Sequence, residues 1–394
     1  MGLSAYFAAA GPELPSSHWA MRTAAASLED STRGAITNEA RCDAPPKQRA
    51  SSFLETVKEV SDTRGVRHSR GYDGARMVKK ILLASPRGYC AGVERAVETV
   101  ERALELYGSP VYVRKQIVHN LHVVRELETR GAIFVEEETE VPEGATVVFS
   151  AHGVAPSVHV NATALQLRTI DATCPLVTKV HVQARRYAAS GYTIILIGHA
   201  GHEEVVGTMG EAPGAIVLVE SPEEVERLDF PEGTRLAYIT QTTLSVDETG
   251  DVIAALRRRF PDIYAPKKED ICYATSNRQW AVKEMLNEIE LLLVIGSRNS
   301  SNSNRLVEVA HAAGVESYLI DDENEIDEAW LDGVETVGVT AGASAPERLV
   351  ERVCDWFRER GVTDIEPYRL VTEDVEFRLP VELRRELQLA AQQG

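Results

Sequence analysis

"ILLASPRGYCAGVERAVETV" (residues 81–100) decides the fold. It opens as a short apolar run of the kind found in strands buried on both faces. It closes with Val93, Ala96, Val97 and Val100 at helical spacing, continued by Ala103 and Leu104. A single cysteine, Cys90, stands at the join. The same join recurs twice. After Cys174, Pro175 suits a first helical position and Gly191 a stop; after Cys272 the segment 277–290 is expected to be helical.

Outward from each cysteine the elements repeat in one order. A helix leads to an apolar strand ("PVYVRK", "YTIILIG", "ELLLVIG"), and the strand leads to a polar loop ("QIVHN", "HAGHEE", "SRNSSNSN"). Cys90 to His119 spans 29 positions, Cys174 to His202 spans 28, and Cys272 to Ser300 spans 28. A second strand ("AIFVEE", "AIVLVE", "SYLIDD") and an acidic turn follow. A last strand then ends in small polar residues or histidine ("TVVFSAHG", "RLAYITQTT", "TVGVTAGAS"). Such alternation of helices with uniformly apolar strands predicts an α/β protein of three similar modules, each a small, mainly parallel sheet covered by helices.

The expected boundaries are a first strand at 79–90 packing with the third module, modules at 91–173, 174–271 and 272–362, and a C-terminal tail at 363–394. Ligands of open parallel sheets bind beyond the strands' carboxyl ends. Three sets of strand-end loops therefore predict one shared central site.

Residues 1–78 differ in kind. They carry ten Lys or Arg against nine Asp or Glu, are rich in Ala, Ser, Arg and Gly, and show no sustained period. A disordered, dispensable extension is expected there, with Met77 as an alternative start. Its acidic content argues against a transit peptide.

With 394 residues, 44% hydrophobic and 26% charged, the composition is that of a globular protein. A net charge of −18 makes nucleic acid and anionic membranes poor partners. No apolar run approaches the roughly 20 residues of a membrane span. Five scattered cysteines exclude a disulfide scaffold and indicate a reducing compartment, so a cytoplasmic location is expected.

A helix N-terminus favours thiolate over thiol. Three such positions, Cys90, Cys174 and Cys272, suit a metal or an iron–sulfur cluster. Structural zinc commonly takes close Cys pairs and four ligands, a pattern absent here. Three cysteines on a four-iron cluster would leave one iron open to act as a Lewis acid. Cys42 and Cys354 lack counterparts in the repeats and are read as non-ligands.

At the strand ends, His119, His152, His202, Ser300, Ser301, Asn302 and Ser344 form a neutral-to-cationic donor set suited to a phosphate or diphosphate. Helix capping is a competing explanation for Ser344 ("SAPE") and for Ser245 ("SVDE"). His122, His159, His181, His199 and His311 are read as structural. Glu203 and Glu204 are candidate proton donors, and Thr242 and Thr243 could relay a proton or orient a water.

Nine motifs in order resemble the LytB/IspH family of 4-hydroxy-3-methylbut-2-enyl diphosphate reductases: "RGYCAGVERA", "VHN", "SAHGV", "DATCPLVTKVH", "GHAGHEEVVGTMGE", "TQTTLS", "DICYATSNRQ", "GSRNSSNSNRL" and "TAGASAPE". The resemblance spans about residues 79–380. It implies a pseudo-threefold trefoil around one 4Fe–4S cluster held by Cys90, Cys174 and Cys272, with one open iron. It further implies that His119, His152, His202, Ser300, Ser301, Asn302 and Ser344 hold a diphosphate. Glu204 would be the proton donor, with Thr242 beside it and Thr243 close by.

Implied too are reductive removal of an allylic hydroxyl, a ferredoxin or flavodoxin as electron donor, and a monomer or weak dimer. Glu203 stands where Pro is common in the family, and motif register assigns the donor role to Glu204. The competing class is a non-catalytic iron–sulfur redox or oxygen sensor, which has no need of the histidine and hydroxyl set.

Overall fold

The computed structural model describes residues 78–393. The expected extension at 1–78 therefore lies outside the described residues, except for Val78. The opening stretch forms β1 (Lys80–Ser85) and a helix, Ala91–Tyr107, with Cys90 as its N-cap. The first module holds β2 (Val111–Arg114), β3 (Ala132–Val135), β4 (Thr146–Phe149) and β5 (Arg168–Asp171). The second holds β6 (Thr193–Ile197), β7 (Ile216–Val219) and β8 (Leu236–Thr240). The third holds β9 (Leu291–Ile295), β10 (Glu316–Ile320) and β11 (Thr336–Ala341), and the chain continues into β12 (Asp364–Arg369).

Every strand pairing is parallel, in sheets ordered β3-β2-β4-β5, β7-β6-β8 and β10-β9-β11-β1-β12. Each module thus puts its first strand in the middle, as one repeated plan requires. The central strands are apolar because both faces are covered. In β9, Leu291, Leu293 and Ile295 pack into one core, while Leu292 and Val294 pack into another. In β6, Ile194 and Leu196 face away from Ile195 and Ile197 in the same way. Such alternation follows from the two-residue period of a strand, and each buried aliphatic side chain contributes about 1.5–3 kcal/mol.

The segment leading to each cysteine adds to the last strand of the preceding module. β1 runs beside β11, with Ile81 paired to Val337. β5 runs beside β4, and Tyr264 bridges Ala237 of β8. The three modules are therefore closed into a ring by exchange of their lead-in strands. Each cysteine amide ends such a lead-in, Cys90 donating to Ala343 O (3.2 Å), Cys174 to Ala151 O (2.9 Å) and Cys272 to Thr242 O (3.0 Å).

One expectation needs correction. The helix after Cys272 begins at Tyr273, earlier than its apolar spacing indicates, because the Cys272 sulfur caps it by accepting the Thr275 N–H. The C-terminal segment adds two further elements. β12 pairs with β1, and the helix Val381–Gln393 buries Leu383 in the first module's core. "DIEPYR" hides its strand character because an edge strand tolerates charge and Pro.

Candidate active site

Cys90, Cys174 and Cys272 are each the N-cap of a helix of 13 to 17 residues, and all three open onto one cavity of about 100 Å³. The same cavity is lined by His119, His152, His202, Glu204, Thr242, Thr243, Ser300, Ser301, Asn302 and Ser344. The structure therefore brings the three cysteines, the three histidines, the hydroxyl and amide set and Glu204 to one place, and leaves Glu203 outside it. Cys354 is elsewhere, buried with Val350, Val353 and Phe357.

Burial dominates the electrostatics. Together with the neighbouring Cys90, it pushes the Cys174 thiol up to about 12 and the Cys272 thiol up to about 11. The helix-start amides of Leu176 and Val177 do favour the Cys174 thiolate, as its N-terminal position predicts, but burial outweighs them. These thiolates therefore need a positively charged partner.

The sulfur set fits an iron–sulfur cluster. A Cβ on Gly92 would stand 2.7 Å from Cys174 Sγ and 3.8 Å from Cys90 Sγ, so two of the sulfurs flank one helix start that has room only for glycine. Among the described residues, no three His, Cys, Asp or Glu side chains are gathered as a single metal ion requires. Next to the cysteines the cavity is lined by Gly92, Val93, Leu176, Val177 and Ala274, which are apolar or small, and by Tyr273 and Thr275.

The histidines form a compact trio. His119 and His152 stack at 4.0 Å, and His202 meets both edge-on at 5.6 and 5.8 Å. Burial lowers His119 to about 4. Burial and then the neighbouring histidine His119 lower His202 to about 4, and His152 is driven well below its ordinary value by the same two causes. Burial thus holds all three neutral near pH 7. His202 Nδ1 accepts the Glu204 amide at 3.2 Å, which leaves its proton on Nε2.

The two adjacent carboxylates separate cleanly. Glu204 is 2% exposed and accepts the Thr242 amide at 2.7 Å and the Thr242 hydroxyl at 3.0 Å. Burial pushes its carboxyl up to about 7 against those two hydrogen bonds. Glu203 is 25% exposed and lies 3.7 Å from Lys115 of the first module. A buried carboxyl that holds a proton near neutrality is fitted for proton transfer, and of the two only Glu204 lines the cavity.

The hydroxyl loops serve structure and site together. Ser300 caps the helix Ser301–Ala312, whose N-terminus faces the cavity. Ser344 does not cap the following helix, Glu347–Glu359, whose N-cap is Pro346; its hydroxyl donates to His119 O at 2.9 Å and joins the third module to the first. Ser245 does cap its helix. Asn302 accepts the Ala343 amide and donates to Thr275 Oγ1, which itself lies 3.1 Å from Cys272 Sγ.

Sequence reasoning missed Thr275, Gln241, Asn299 and Phe377. Gln241 donates to Thr243 Oγ1, and Asn299 lies 3.3 Å from His119 Nδ1. Phe377 lines the cavity from the C-terminal segment. Thr275 was findable, three residues into a helix from its cysteine cap; Phe377 carried no local signal.

A ring of three α/β modules with one thiol from each, facing a buried histidine and hydroxyl set, defines a class: proteins that pair a sulfur-bound metal centre with an anionic ligand. A sequence model of the LytB protein family matches residues 81–358, and the chain belongs to that family. It is 64% identical over 310 residues to the 4-hydroxy-3-methylbut-2-enyl diphosphate reductase of Acidothermus cellulolyticus, covering 78% of this chain and 91% of that one. The reductase of the same name from Streptomyces avermitilis is 58% identical over 314 residues, covering 79% and 93%. Among solved structures, the E-1-hydroxy-2-methyl-but-2-enyl-4-diphosphate reductase of Plasmodium falciparum superposes with a TM-score of 0.77 at 37% identity, covering 80% of this chain and 99% of that one.

Proposed function

We propose that the chain reduces (E)-4-hydroxy-3-methylbut-2-enyl diphosphate to isopentenyl and dimethylallyl diphosphate, the last step of the methylerythritol phosphate route to isoprenoid precursors. The substrate takes up two electrons and two protons, its allylic C–O bond breaks, and the oxygen leaves as water. The observation that carries this is the convergence of three repeat-equivalent cysteines, a neutral histidine trio and one protonatable buried carboxyl in a single cavity.

Cys90, Cys174 and Cys272 hold a 4Fe–4S cluster in this reading, which when bound supplies the electrons and a Lewis-acidic iron without a protein thiolate. His202 offers an Nε2–H to the diphosphate, and His119 and His152 stand beside it. Ser300, Ser301, Asn302 and Ser344 add hydroxyl, amide and helix-start donors. A bound diphosphate also favours the charged histidines that burial alone disfavours. Glu204 delivers a proton toward the leaving oxygen, held in place by Thr242, with Thr243 nearby. The apolar residues around the cysteines exclude bulk water.

A ferredoxin or flavodoxin supplies electrons, and the enzyme works as a monomer or weak dimer in the cytoplasm. Among the described residues no helix is long and apolar enough to cross a membrane. The sensor reading accounts for the cysteines but leaves the histidine and hydroxyl set without a purpose. Cys174→Ser tests the assignment. The expected result is loss of cluster assembly and of turnover; full turnover would overturn it.

A further inference from the structure

Around the three cysteines runs a second threefold pattern. Five residues after Cys90, Arg95 donates to Ala172 O at 2.9 Å and Thr173 O at 3.0 Å, just ahead of Cys174. Five residues after Cys174, Lys179 donates to Glu269 O at 2.7 Å and Asp270 Oδ1 at 3.0 Å, just ahead of Cys272. Six residues after Cys272, Arg278 donates to Gly88 O at 2.7 Å and Tyr89 O at 3.3 Å, just ahead of Cys90. The circuit closes on itself.

We propose that Arg95, Lys179 and Arg278 are three equivalent positioning residues, each anchored on one cysteine's helix and clasping the loop that presents the next cysteine. A carbonyl at these loop positions has no ladder partner, and a buried acceptor left unpaired is costly. Two clasps lie where water cannot replace them: Arg278 is fully buried and Arg95 is 9% exposed. Both also hold the C-terminal segment, Arg95 through Arg378 O at 2.7 Å and Arg278 through the Glu373 carboxylate at 3.1 Å. That segment brings Phe377 to the cavity. Each clasp thus fixes a sulfur through its loop rather than by touching it. The role in cluster retention rests on the reading that the cysteines hold a cluster; the role in loop order does not.

Lys179 is the least buried of the three, so Lys179→Met is the first variant. Peptide-resolved hydrogen exchange is read on the full chain, anaerobically, after its iron content is measured. The expected result is exchange about tenfold faster across 268–272, one charge-assisted hydrogen bond's loss, with 85–90 and 171–174 unchanged. Lys179→Arg restores protection, and cluster loss to a chelator speeds in Lys179→Met alone. Unchanged exchange at 268–272, or an equal rise in all three loops, overturns the proposal. If Lys179→Met does not fold, Arg95→Lys and Arg278→Lys decide: faster exchange confined to 171–174 and to 87–90 respectively supports it, and unchanged exchange overturns it. A lack of iron in the unsubstituted chain would refute the cluster reading and leave the exchange result standing.

Discussion

Replacing Glu204 by Gln isolates the proton from everything else the side chain does. The amide keeps the shape, its carbonyl still accepts the Thr242 N–H now bonded at 2.7 Å, and its NH2 can donate to the Thr242 hydroxyl. Because the side chain is 2% exposed, no bulk water stands ready to substitute. A positioned general acid contributes about 10²- to 10⁴-fold, so kcat should fall by that factor, about 3–5.5 kcal/mol of barrier. KM should change by no more than about threefold. The pH profile gives an independent check. Burial lifts the Glu204 carboxyl to about 7, so its proton-donating form predominates below that value and is lost as pH rises through it. The unsubstituted enzyme should lose kcat across that window, and the Gln variant should lose that limb. The assay is anaerobic single-turnover and steady-state kinetics with a reduced dye between pH 5.5 and 9. An unchanged kcat, or a loss carried wholly by KM, would refute the role.

Glu203→Ala should leave kcat nearly intact, since that carboxylate pairs with Lys115 at a partly exposed site where ion pairs contribute about 0–1 kcal/mol; a hundredfold loss in steady-state rate would contradict this. Gly92→Ala should impair cluster loading, because the new Cβ would stand 2.7 Å from Cys174 Sγ; iron and sulfide analysis of the reconstituted protein checks it, and full loading would count against the packing argument. His119→Leu should weaken diphosphate binding by about tenfold or more through loss of one charge-assisted hydrogen bond while iron content stays unchanged; calorimetry with inorganic diphosphate measures the first and metal analysis the second.

The repeat was legible because its signals are local. β6 and β9 announce themselves as apolar runs, and Cys174 is followed by Pro at the first helical position. Nearly equal spacing from each cysteine to the next polar loop then placed the site. What escaped is non-local. β5, "RTID", and β12, "DIEPYR", are polar edge strands whose existence depends on β4 and β1 offering a free edge. Phe377 enters the cavity from a segment held by Arg95 and Arg278, which no local pattern encodes. The burial that opposes the thiolates escaped for a related reason: a helix start is visible in sequence, whereas burial that outweighs it is visible only in the fold. Likewise, Ser344 matches a capping box yet serves as a donor to His119 O, because the N-cap of the helix behind it is Pro346.

The most direct test of the central claim is turnover itself. Cluster-loaded protein, kept anaerobic with a reduced low-potential dye, is given (E)-4-hydroxy-3-methylbut-2-enyl diphosphate and the products are followed. Formation of both isopentenyl and dimethylallyl diphosphate, strictly dependent on the reductant, is the predicted result. An intact cluster with bound substrate and no product would contradict the account.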